Sequence, residues 1–350
     1  MSSIQEVAKR AGVSTATVSR TFSTPNLLSE ETRERVLKVA DRMNYRPRRR
    51  TVKPVVDMPR TSEVSDCLGF LFFASDADAN QINEFYASVL VGAQDQAAQL
   101  GMHLIVRTLP RYQTPAEMPR MSLERAVGGV LLVGAAPPHV VQAFAGGLPP
   151  SVLVDNCIPD CGLDCVISDG LGGSYAATHH LIELGHRRIG FLMNDPDAPS
   201  FRDRLRGYLC AHYDTGLTPD PNNILVAQSD GAMASTLKGM LQRDNRPSAI
   251  VAANDINAFV LMQACRDFGL AVPTDISIIG FDNMPFSVHS YPPLTTVGID
   301  KQYLGHLAVR QLHRRIQESA DETGRREPPV QITVPVSLIT RGTCRNLNHH

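Results

Sequence analysis

The chain has 350 residues with 34 Lys/Arg against 35 Asp/Glu and seven cysteines, a length that exceeds one ordinary core and predicts a small head beside a larger two-lobed body. No run of about 18 apolar residues occurs and the N-terminus lacks an apolar signal core, which argues against a membrane span and leads us to expect a cytoplasmic protein with reduced thiols. The near-neutral total hides an asymmetry: residues 1–60 hold 13 Lys/Arg and 6 Asp/Glu, net +7, and the remainder is net −8, so one end alone suits an anionic polymer.

Ser3-Ile4-Gln5-Glu6 reads as a capping box that opens a first helix. Val7, Ala8 and Ala11 recur at helical spacing, and Gly12 permits a sharp turn into a second helix. Ser14 caps that helix, Thr15 to Phe22, with Val18 inward and Thr15, Ala16, Ser19 and Arg20 outside. These are the positions that meet base edges when the second helix of a helix-turn-helix enters the major groove.

The stretches EVAKRAGVSTATVSR, SEETRERV and NYRP resemble the LacI/GalR family of transcription regulators. The resemblance implies that Thr15 and Ala16 are variable base readers, that Arg20 reads a base or anchors a phosphate, and that Thr17 and Ser19 contact phosphates. An arginine can bond a guanine edge through two donors, whereas Ala16 offers only apolar contact to a thymine methyl. The bland alternative is a small helical dimerisation head with solvated polar faces.

We place the helix-turn-helix domain at 1–47 and a basic, proline-containing linker at 48–65. The family's hinge helix inserts a leucine into the minor groove. This stretch has no leucine, and Pro54 would break a helix interior. What remains is Arg46, Arg48, Arg49, Arg50 and Lys53, suited to phosphates or a narrow minor groove, so a basic tether is expected.

From Cys67 the pattern alternates short apolar runs with amphipathic stretches, which predicts α/β lobes with parallel sheets over 66–342 and a tail at 343–350. CLGFLFF, HLIV, GVLLV and SVLVD read as strands, with a helix at Phe85–Leu100 stopped by Gly101. A second cycle is expected to start at strand CVIS and to run through the helix GGSYAATHHLIEL, the strand RIGFL, the helix around LRGYLCAHY, the strand AIVAA, the helix AFVLMQACRDF and the strand ISIIGF. The resemblance identifies this body as periplasmic-binding-protein-like. It further implies three crossovers, with Tyr303–Ser319 returning to the first lobe and Val330–Thr340 closing the second.

Ligands of open α/β sheets bind at strand ends. Phe85 and Tyr86 match the family's aromatic wall, or anchor the core. Arg204, at the family's R-x-x-G position, would fork onto vicinal hydroxyls or a carboxylate, or lie solvated on a helix face. Asn254, Asp255 and Asp282, with Asp169 as a weaker candidate, are ligand acceptors or helix N-caps. Where the family often stacks an aromatic on the ligand, Ser229-Asp230-Gly231 supplies glycine.

No phosphate loop, nucleophile elbow or H-E-x-x-H metal helix occurs, so no enzyme chemistry, cofactor or metal is expected. His179 and His180 are adjacent mid-helix and point about 100° apart. Cys157, Cys161 and Cys165 lack a fourth ligand at close range and read as free loop thiols. The sequence therefore predicts a ligand-responsive repressor, a homodimer on near-palindromic operator DNA modulated by a sugar- or nucleoside-type effector. A solute receptor without a gene-regulatory role is the competing class, and the head argues against it.

Overall fold

The computed structural model describes residues 4–15, 17–18, 21, 30–43, 45, 65–74, 82–110, 126–145, 149–226, 230–320 and 327–348. The chain divides into two compact units, Met1–Glu63 and Val64–His350.

In the first unit, helix α1 spans Ile4–Ala11, helical residues follow within 15–21, and α2 spans Glu30–Arg42. Val7, Ala8 and Ala11 meet Val18, Val36 and Ala40 in one small core, the inward face that the spacing predicts. Gly12 makes the turn at φ +66°, a conformation that costs a side-chain-bearing residue but not glycine. The amide of Thr17 donates to Ser14 Oγ at 3.1 Å, so the expected N-cap forms. Its counterpart Ser3, in the predicted capping box, lies outside the described residues, as does the linker from Arg46 to Pro59.

The second unit begins with β1 (Cys67–Ala74), α3 (Glu84–Gln99), β2 (His103–Pro110), β3 (Gly129–Gly134), α4 (Pro138–Ala145), β4 (Ser151–Val154) and β5 (Asp164–Ser168). It continues with α5 (Gly170–Glu183), β6 (Ile189–Met193), α6 (Pro199–Asp214), β7 (Ile224–Val226), α7 (Asp230–Leu241), β8 (Ala249–Ala252), α8 (Asp255–Asp267), β9 (Ser277–Asp282) and β10 (Thr295–Ile299). The last elements are α9 (Lys301–Ala320), β11 (Gln331–Val334) and β12 (Val336–Ile339). Two six-stranded sheets result, ordered β11-β5-β4-β3-β1-β2 and β12-β10-β9-β8-β6-β7. Every pairing is parallel except β12 on β10. Central strands such as Leu68–Phe73 and Gly129–Gly134 are buried throughout, which is why they read as continuous apolar runs.

Two sequence expectations need correction. CVIS does not start the second lobe: it is β5, paired with β4 and β11 in the first sheet with Cys165 opposite Leu153, and the chain crosses over after it. Nor does 330–340 simply close the second lobe. It splits at Pro335, with β11 on the first sheet and β12 on the second. An apolar run announces a strand but carries no information about which neighbour it pairs with. Helix α9 packs on α3 and on β3, β4 and β5, as the resemblance implies. No helix among the described residues is long and apolar enough to cross a membrane.

Candidate effector cleft and DNA-reading helix

On the head, Thr15 is exposed at the first turn of the second helix. Thr17 is half-buried, its hydroxyl 2.9 Å from Ser14 Oγ. Ala16, Ser19, Arg20, Arg46, Arg48, Arg49 and Arg50 lie outside the described residues.

In the body, the two sheets share one strand order, so β4 and β9 occupy equivalent places, as do α3 after β1 and α6 after β6. A carboxylate stands at the C-terminal end of each equivalent strand. Asp282 ends β9 at φ +105° and Asp155 follows β4 at φ +54°. Such backbone is unfavourable for a side-chain-bearing residue and persists where the surroundings over-determine it. Each carboxylate faces a donor from the equivalent helix. Tyr86 on α3 donates its hydroxyl to Asp155 Oδ2 at 2.7 Å. Arg204 on α6, only 2% exposed, brings Nη2 to 3.0 Å from Asp282 Oδ1.

Arg204 is held on its other sides too. Its Nη1 donates to the carbonyl of Ala253, and its guanidinium lies 3.9 Å from the centroid of the Phe281 ring. From the crossover, Lys301 donates to the carbonyls of Asp282 and Asn283. The cluster is electrostatically coupled. Burial pushes Asp282 up to about 7, opposed by Arg204 and reinforced by Asp255 and Asp155. Asp155 is likewise raised by burial against the pull of Arg204 and Tyr86. Burial, with Asp155 beside it, holds the Tyr86 phenol well above its usual value, so it remains a donor. Burial lowers Lys301 against the carboxylates around it.

The other predicted ligand residues take structural positions. Phe85 is 8% exposed within the core and meets Tyr86 edge-on. Asn254 caps α8 by accepting from the amide of Asn257 at 2.8 Å. Asp169 caps α5 by accepting from the amide of Gly172 at 2.7 Å. Asp255 is fully buried and both its oxygens are engaged, one by Thr296 Oγ1 at 2.5 Å and the other by the amide of Met284 at 2.7 Å. Burial nonetheless pushes its carboxyl up to about 6. Gly231 sits in the first turn of α7, and Ser229 lies outside the described residues. Of the predicted set, Tyr86, Arg204 and Asp282 come together.

Sequence reasoning missed Asp155, Asn156 and Lys301. The first had a signal, because strand SVLVD ends on Asp as ISIIGFD does. Lys301 had none, since only the crossover brings it in. Asn156 donates through Nδ2 to the carbonyl of Ala136 at 3.2 Å, and its Oδ1 stays free. Asp155 Oδ1, Asn156 Oδ1, Asp282 Oδ1 and Arg204 Nε are buried without a hydrogen-bond partner. Asp282 Oδ1 thus has a charge contact but no aligned donor. Three orphaned acceptors against one orphaned donor describe a site that receives hydrogen-bond donors.

Comparison with known proteins bears on both units. Residues 3–48 match the family described as bacterial regulatory proteins, lacI family, and residues 178–344 match the periplasmic binding protein-like domain. The HTH-type transcriptional repressor PurR of Aliivibrio salmonicida is 31% identical over 329 residues, covering 92% of this chain and 94% of the relative. The HTH-type transcriptional repressor CytR of Escherichia coli is 29% identical over 349 residues, covering 98% and 96%. Among solved structures, a transcriptional regulator CelR–cellobiose complex superposes with a TM-score of 0.67 at 25% identity, covering 98% of this chain and all of that one.

Proposed function

The chain belongs to the lacI family of bacterial regulatory proteins and is a ligand-responsive DNA-binding transcription regulator, and on that premise we propose what its cleft and its surface bind. The effector is a small neutral molecule rich in hydroxyl or amino donors, of the sugar or nucleoside class. The observation that carries this is the state of Arg204. A guanidinium that already faces Asp282, the Ala253 carbonyl and the Phe281 ring offers little to an anionic ligand. The groups left over are three acceptors, Asp155 Oδ1, Asn156 Oδ1 and Asp282 Oδ1, against one donor, Arg204 Nε. A carboxylate or phosphate placed there would be opposed by these buried carboxyls and would push them further up. The cellobiose bound by a regulator that is 25% identical over nearly the whole chain supports the sugar class.

On the DNA side, the protein acts as a repressor on a near-palindromic operator. Thr15 and Ala16 face bases, Arg20 reads a base or anchors a phosphate, Thr17 and Ser19 face phosphates, and the arginines at 46, 48, 49 and 50 contact phosphates or a narrow minor groove. The homodimer reading is supported by an apolar surface beside α8. Ile256, Val260, Phe286, Val288 and Tyr291 are exposed, and the contact of Phe259 with Phe286, ring centroids 4.9 Å apart, joins α8 to the 285–288 turn.

A thermal-shift screen of monosaccharides, disaccharides, nucleosides, purine bases, sugar acids and sugar phosphates tests the effector class. A neutral donor-rich compound at a hundred times its Kd should stabilise the body by about 2.7 kcal/mol. Stabilisation by anionic compounds alone overturns the reading.

A further inference from the structure

Three cysteines lie between the end of β4 and β5, and two of them are already in contact: the sulfurs of Cys157 and Cys165 stand 3.1 Å apart. Cys157 is half exposed, whereas Cys165 is buried on β5. Cys161 packs in the same apolar cluster, but its thiol is directed at the carbonyl of Leu163 at 3.9 Å. No group of three His, Cys, Asp or Glu among the described residues could hold a metal ion, so the pair is not part of a ligand set there. A disulfide needs the sulfurs about 2.05 Å apart, so closure asks for about 1 Å of further approach. The loop that must supply it carries Asp155 and Asp160 at positive φ.

We propose that Cys157 and Cys165 are a peroxide-oxidisable dithiol whose disulfide clamps the β4–β5 loop. Cys157, the accessible sulfur, attacks one peroxide oxygen. The O–O bond breaks, Cys157 becomes a sulfenic acid, and the other oxygen leaves as water with the thiol proton. The sulfur of Cys165 then attacks that of Cys157. The S–O bond breaks, and the hydroxyl departs as a second water with the Cys165 proton. Two thiols lose two electrons in all, and one hydrogen peroxide is reduced to two waters. Burial and the adjoining Cys157 push the Cys165 thiol up, so its sulfur attacks only as its proton passes to the departing hydroxyl, and the contact between the two sulfurs rather than thiolate character favours the second step.

Closure draws Cys157 from Gln331 Oε1, its partner at 3.4 Å at the start of β11. Cys157 also follows directly on Asp155 and Asn156, so the clamp acts on the backbone that presents the cleft acceptors. That last consequence rests on the effector reading above; the cross-link does not.

The test uses the full chain with Cys210→Ser, which removes an exposed thiol able to join two molecules. The protein is treated with hydrogen peroxide without effector and digested under non-reducing conditions. A Cys157–Cys165 cross-link, lighter by two hydrogens, should form, be reversed by dithiothreitol, persist in Cys161→Ser and vanish in Cys157→Ser. Amide exchange across 155–163 should slow at least tenfold on oxidation, and only in chains that keep both cysteines. A cross-link through Cys161, Cys157 driven to sulfinic acid without a cross-link, or a cross-link that leaves exchange unchanged would each overturn the proposal. None of these outcomes depends on whether the effector class is right.

Discussion

Asp282 and Asp164 are both buried carboxylates that touch an arginine, yet they respond to pH in opposite directions. At Asp164, burial alone would raise the carboxyl. Hydrogen bonds from Arg315, from Gln311 and from the Val330 amide outweigh it and hold the group below its usual value. The bonds to Arg315 are a two-pronged fork, Nε to Oδ2 at 2.5 Å and Nη2 to Oδ1 at 2.6 Å. Asp282 has one unaligned contact to Arg204 and two carboxylates nearby, so burial wins there. For Asp282, the folded body keeps a proton that the unfolded chain has released between the usual value of 3.8 and about 7. Stability therefore falls as pH rises through that window, by at most about 1.4 kcal/mol per pH unit for one proton. For Asp164, the stabilisation is full above the unfolded pKa and is lost as pH falls through the depressed folded one. Midpoints of urea unfolding from acid to neutral pH should show a flatter fall in Asp282→Asn, with a remainder left from Asp255 and Asp155, and a lost acid limb in Asp164→Asn. An unchanged slope in Asp282→Asn would mean that its carboxyl does not hold the proton. The rule that polar residues end the strands at a ligand site reaches Asp282 from the sequence. Applied to SVLVD it would have reached Asp155 as well. That Asp255 is a buried post was not legible, because its partners Thr296 and Met284 are 41 and 29 residues away.

Helices explain why the donors stand where they do. In the first lobe, α3 and α9 cross so closely that a Cβ on Gly92 would stand 2.0 Å from the Gln302 carbonyl oxygen, and one on Gly305 would stand 2.1 Å from that of Val89. In the second, a Cβ on Gly207 would stand 2.1 Å from the Leu171 carbonyl oxygen across the α5–α6 crossing. Backbone opposes backbone at these points, so no side chain can give way. Tyr86 rides on α3 and Lys301 starts α9, and the first crossing therefore also sets the cleft. Gly305→Ala should cost about 1–3 kcal/mol by forcing the helices apart. Gly239→Ala, where the new methyl meets nothing within 4 Å, should gain up to about 1 kcal/mol from helix propensity. Thermal unfolding of the two variants checks the pair, and a neutral Gly305→Ala would show that the crossing is loose. The glycine of R-x-x-G was legible as a motif position, but the reason for it is the helix across from it, which no local pattern records. Periodicity likewise found β5, and the resemblance pointed to the run at 330–340, but neither gave the partners, because pairing is decided by the other strands.

At the scale of the whole molecule, the net +7 of residues 1–60 against −8 for the remainder places the attraction for DNA at one end of each chain and makes it salt-dependent. A single head makes a small interface, so useful affinity requires two chains on two half-sites, their centres about one helical turn or a multiple apart. Sedimentation of the full chain should accordingly show a dimer at micromolar concentration, and a strict monomer that holds its operator tightly is incompatible with this reading. The basic residues then separate by function under salt. Each phosphate neutralised adds about 0.9 to the slope of log affinity against log salt. Arg48→Ala should therefore lower the slope by about 1 for each head and weaken operator and random DNA alike. Arg20→Ala, if it reads a base, should cost about 1–3 kcal/mol on operator and relax discrimination at one position. Titrations of both variants on operator and scrambled DNA at several salt concentrations decide it. Equal loss on both DNAs for Arg20→Ala would assign that arginine to the backbone. An unchanged slope for Arg48→Ala would take the linker off the phosphates and leave the head's own helices to carry the affinity.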